Sequence, residues 1–128
     1  MASSLIWVTT DVALAVHAQQ LAEHGGGEGV RDAGSLESAM SRPQNLAQYG
    51  APDIAALAAA YGFGIARNHP FVDGNKRTAA IVSETFLMLN GYRLTASDAE
   101  LVVAFVALAA GELSEDELAD WLRHHISD

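Results

Sequence analysis

The chain has 128 residues, half of them apolar, which is the length of one domain with enough apolar side chains for a single core. It contains no cysteine, which excludes a disulfide framework and a thiolate metal site. Its sixteen acids against seven bases, a formal net charge of −9, disfavour nonspecific nucleic-acid binding.

The opening MASSLIWVTTD lacks a basic n-region followed by a long apolar stretch. The longest apolar run, residues 101–110, is about half of what a bilayer requires. The expectation is therefore a soluble, cytoplasmic protein with no membrane partner.

The pattern along the chain is helical. Thr9 or Thr10 can cap a helix to about His24, with Val12, Ala13, Val16 and Leu21 as its apolar side and the glycines from Gly25 as its stop. His17 and His24 read as ordinary residues of that helix's surface. Residues 25–34 carry five glycines and read as a loop. Ser35 is the expected cap of a short helix over 36–42, which should stop near Pro43. Residues 43–52 then form a polar connection containing Asn45, Gln48 and Tyr49.

Pro52 and Asp53 suit the first positions of a helix to about Arg67, whose alanines and glycines imply close packing. Residues 75–90 form a helix that is apolar nearly all round, as expected of a central buried element. Ser97 or Asp98 opens another to Ala110. Ser114 with Glu117 makes a capping box for the last, ending around His125 and anchored by Phe105 and Trp121. The expectation is an all-α fold, residues 1–128 as one domain: a compact bundle of about six helices.

The segment Asn68-His-Pro-Phe-Val-Asp-Gly-Asn-Lys-Arg-Thr78 joins two of these helices. A helix start presents unpaired N–H groups and the positive end of the macrodipole, so it can hold a phosphate. Gly74 lets the backbone approach a ligand. Lys76, the only lysine in the chain, and Arg77 oppose the dipole unless an anion is bound there. Arg67, Lys76 and Arg77, three of the seven bases, fall within eleven residues. His69 is a candidate general base, and Asp73 a candidate Mg²⁺ ligand beside phosphate. Asn75 can bond a phosphate or orient the loop. Singly, each has an ordinary structural explanation; in this order they indicate phosphoryl or nucleotidyl transfer.

His69-Pro-Phe-Val-Asp-Gly-Asn-Lys-Arg77 closely resembles the Fic-family signature His-Pro-Phe-x-(Asp/Glu)-Gly-Asn-(Gly/Lys)-Arg. Together with residues 29–43, Asn68-His-Pro70 and Lys76-Arg-Thr-Ala79, the chain looks like the death-on-curing subgroup along nearly its whole length. That resemblance implies the toxin of a toxin–antitoxin pair, using ATP and Mg²⁺, with His69 as base and Asp73 as a metal ligand that also helps position His69 for catalysis. Gly74 and Asn75 would shape the anion loop, and Lys76 and Arg77 would hold phosphates.

Many nucleotidyl-transferring members have Gly where Lys76 stands and a second Arg shortly after the first. Lys76 therefore implies the subgroup's transfer of the γ-phosphate to a hydroxyl of elongation factor Tu, halting translation. Residues 43–52 would correspond to the family's flap, which docks the target by strand addition. No inhibitory Ser/Thr-x-x-x-Glu-Gly/Asn helix is found in the chain, so an antitoxin would be a separate protein, an apolar groove near the first and last helices being one site for its tail.

Three alternatives stand beside this: an adenylyl transferase moving AMP, a non-catalytic binding or regulatory module, and a metal hydrolase built on His69, Asp73 and the pair His124-His125.

Overall fold

The computed structural model describes residues 4–128 and contains six helices: α1 (Thr10–His24), α2 (Ala33–Tyr49), α3 (Ile54–Asn68), α4 (Asn75–Leu89), α5 (Asp98–Ala109) and α6 (Glu115–Arg123). Two short strands, β1 (Arg93–Leu94) and β2 (Ile126–Ser127), pair antiparallel with Leu94 opposite Ile126. The helical stops lie within one or two residues of those expected from Gly25, Gly91 and Gly111. The two strands carry no periodicity that a sequence could reveal. Among the described residues, no helix is long and apolar enough to cross a membrane.

α3 is the most enclosed helix, packed against α2, α4, α5 and α6. Its small residues make this close contact possible. A Cβ at Gly62 would lie 2.6 Å from the Phe105 ring and 2.7 Å from Ser83 Oγ. One at Gly64 would lie 3.1 Å from the Ala39 backbone of α2. α4 shares the core through Ala79, Val82, Phe86 and Leu87, but Met88 is 63% exposed, so it is not buried all round.

The segment before α1 is tied down at two points. The Tyr61 hydroxyl bonds the Val8 N–H (2.9 Å) and carbonyl (3.2 Å), and the Asn90 side chain bonds the Ile6 N–H and carbonyl, both at 2.9 Å. Burial pushes the Tyr61 hydroxyl up to about 12. Phe105 is fully buried, while Trp121 is half-buried and stacks on His125.

Two expected boundaries need correction. α2 does not stop at Pro43 but runs through it to Tyr49. Pro43 is buried on the same face as Leu36, Ala39 and Met40, and this packing against α3 outweighs the lost backbone hydrogen bond, a cost of about 3 kcal/mol. The connection to α3 is therefore only the four residues Gly50 to Asp53. Ser35 is not the cap of α2 either: the Asp32 carboxylate accepts the Ser35 N–H at 3.1 Å, which holds that carboxyl below its usual range.

Candidate active site

The signature occupies the bend between α3 and α4. His69 ends α3 in the left-handed region (φ 50°, ψ 56°), the only non-glycine residue with positive φ among those described. A non-glycine residue stays there only when its surroundings hold it. The holding group is Arg31: its Nε donates to the His69 carbonyl at 2.6 Å and its Nη2 to the Asn68 carbonyl at 2.9 Å. The imidazole of His69 itself is exposed.

The loop that follows is tied on three sides. Residues 29–32 run beside it in a short antiparallel pairing of Val30 with Phe71. The Arg31 N–H reaches the Pro70 carbonyl at 2.7 Å and the Val72 N–H the Gly29 carbonyl at 3.1 Å. The buried Asn75 side chain clips Phe71, accepting its N–H and donating to its carbonyl, both at 3.0 Å. Of the two roles open to Asn75 in the sequence, its amide is occupied in shaping the loop, which leaves its backbone N–H for a ligand.

Behind the loop, His17 of α1 stacks on the Phe71 ring (centroids 3.8 Å apart, planes 9° apart) and bonds the Asp73 carbonyl at 2.8 Å. His17 is only 5% exposed, so it is not the surface residue expected. Helical periodicity places it with Ala13, but cannot say that this narrow stripe meets the loop.

Asp73 is exposed, and its Oδ2 accepts the Gly27 N–H at 2.7 Å. Gly74 sits at φ +81°, a conformation that favours glycine, and no side chain caps α4. The first-turn N–H groups of α4 are thus left for a ligand. Lys76 and Arg77 are exposed there, and neither takes part in an ion pair among the described residues.

Arg77, Asp73 and Gly74 line a cleft of about 300 Å³ with Leu21, His24 and Gly26. His24, read from the sequence as plain surface, therefore borders the site. Arg67 does not belong to this group of cations: its guanidinium lies over Phe63, 5.2 Å from the ring centre, with Arg42 also over that ring.

The flap expected at residues 43–52 is not where the chain pairs with the signature. Most of that stretch is helix, and Asn45, Leu46 and Tyr49 face Glu115 of α6 across a groove. The strand-like partner of the signature is instead the glycine-rich segment ending at Asp32, which sequence patterning reads only as a loop. A metal hydrolase is not supported, since no three His, Cys, Asp or Glu side chains converge as a ligand set among the described residues. His124 and His125 instead bond the carbonyls of Asp120 and Trp121.

A lone carboxylate beside an anion site does fit Mg²⁺, which takes one or two carboxylates together with phosphate oxygens and water. One Asp73 oxygen accepts the Gly27 N–H, and the other accepts no hydrogen bond among the described residues.

The family model described as Fic/DOC family matches residues 7–87. The Protein kinase doc of Escherichia phage P1 is 34% identical over 117 residues, 91% of this chain and 92% of that protein. The Toxin Doc of Mycolicibacterium smegmatis is 48% identical over 75 residues, 56% of this chain and 57% of that protein.

Proposed function

The chain belongs to the Fic/DOC family, and on that premise we propose that it is a toxin that transfers the γ-phosphate of ATP to a Ser or Thr hydroxyl of a protein. The observation that carries this reading is an exposed imidazole, His69, held in a clamped bend beside an uncapped helix start bearing two cations that form no ion pair among the described residues.

The target oxygen would form a bond to the γ-phosphorus while the bond from that phosphorus to the bridging oxygen breaks and ADP leaves. The hydroxyl proton would pass to the exposed imidazole of His69. The N–H groups at the start of α4, with Lys76 and Arg77, would hold the phosphates. Asp73 would hold Mg²⁺, whose chemistry when bound is to neutralise phosphate charge. The segment Gly29 to Asp32, already strand-like against Phe71, would present the target segment.

The target we propose is elongation factor Tu, with translation arrest as the effect and a separate antitoxin as inhibitor. The name Protein kinase doc of the phage P1 relative supports phosphoryl transfer, and Lys76 in place of Gly supports it further.

The test incubates the protein with Mg²⁺, bacterial elongation factor Tu and ATP labelled at either the α- or the γ-phosphate, beside His69→Ala. Label from the γ position alone, lost in the variant, is expected. Label from the α position would make the protein an adenylyl transferase. Toxicity in cells that survives His69→Ala would make it a binding module. Lys76→Gly should weaken γ-transfer, and unchanged transfer would remove Lys76 from the site.

A further inference from the structure

We propose that His17 is a positioning residue for the phosphate-binding turn, setting the Asp73–Gly74 peptide from a different helix; the proposal rests on the reading of that turn given above. The Asp73 carbonyl can only accept, so His17 Nε2 must carry the proton of their 2.8 Å bond. That carbonyl and the Gly74 N–H are the two ends of one peptide group. A donor at the carbonyl end fixes the plane of the peptide and polarises its N–H, which makes that N–H a better donor to an anion. Because His17 is 5% exposed, water competes little for the bond.

Packing alone would not call for an imidazole. Any flat apolar ring could lie on Phe71, and burying a polar ring is unfavourable unless it is bonded. The His17 bond ends on the residue whose side chain is the candidate metal ligand. The His17 ring also lies against Gly74, where an added Cβ would be 3.6 Å from its Cδ2. His17 and the Asp73 carbonyl that it supports lie 56 positions apart in sequence.

The experiment uses the full chain with ¹³C and ¹⁵N labels, comparing His17→Phe and His17→Gln with wild type. His17→Phe keeps a ring on Phe71 and loses the donor; His17→Gln restores a donor without the ring. Three measurements are made on each: the melting temperature, the Asp73 carbonyl ¹³C resonance, and binding of ATP with Mg²⁺ by calorimetry.

The expected result is that His17→Phe moves the Asp73 resonance and weakens ATP binding about tenfold, the size of one lost hydrogen bond, while His17→Gln recovers most of both. An unmoved resonance with unchanged affinity in His17→Phe would reduce His17 to a packing residue and overturn the proposal. If wild type binds no ATP, the phosphotransfer reading fails and the Asp73 resonance alone decides the role of His17. If His17→Phe does not fold, His17→Gln decides: a wild-type resonance sustains the proposal, and a displaced one overturns it.

Discussion

α4 and α6 begin in opposite ways. α6 starts with Ser114 and Glu117 bonding each other's backbone N–H groups, and three acids, Glu115, Asp116 and Glu117, face the positive end of its dipole. α5 repeats the device with Ser97 and Glu100. α4 starts from Gly74 with no side-chain cap, no acid in its first turn, and Lys76 and Arg77 in their place. Each like charge at a helix start costs about 0.3–1 kcal/mol. The starts of α5 and α6 are thus satisfied within the chain, whereas no side chain caps the start of α4.

Four substitutions test this contrast. Asn75→Ala should have the largest effect, because the Phe71 N–H and carbonyl would both lose their partner inside the fold. Two buried unpaired groups cost about 2–4 kcal/mol, so thermal melting should fall by roughly 10 °C. A fall of only a degree or two would mean that the loop holds without the clip.

Arg77→Ala should lower phosphotransfer about ten- to hundredfold, the worth of one hydrogen bond to a charged group, with melting unchanged or slightly raised by relief of the dipole conflict. Full activity would place the phosphates elsewhere. Ser114→Ala should destabilise by about 1 kcal/mol and leave ATP binding alone. An altered affinity would show that the two ends are not independent.

The smallest effect belongs to Glu84, further along α4. Burial, with the Asp98 charge adding to it, pushes its carboxyl up from 4.5. An acid whose folded value lies above its unfolded value loses native stability as pH rises through that window. Glu84→Gln should therefore raise the melting temperature by about a degree at pH 7 and leave it unchanged well below 4.5. No gain at pH 7 would show that the half-buried carboxylate carries no penalty. Melting curves at the two pH values read this directly.

Much of the fold was legible because helix signals are local. Thr9 or Thr10, Pro52 with Asp53, Ser97 or Asp98, and Ser114 each marked a start, and the structure places the side-chain caps at Thr9, Asp53, Ser97 and Ser114. Proline misled at Pro43, where the sequence signal concerns the backbone alone and side-chain packing on α3 overrode it. The signature residues were legible as a set because they are contiguous. Arg31 was not: its bonds to the Asn68 and His69 carbonyls span 37 and 38 positions, and no periodicity encodes them.

The sequence by itself determined six helices, the starts of all but α2 to within two residues, and the nine-residue segment His69 to Arg77, because backbone capping, turn geometry and contiguous motifs act over a few residues. Only the tertiary structure decided that His17 and Arg31 hold that segment, that the glycine-rich stretch rather than residues 43–52 runs beside it, and that α3 rather than α4 is the most enclosed helix. Those outcomes depend on which faces meet across dozens of residues, and burial of apolar surface, which is indifferent to sequence distance, makes that choice.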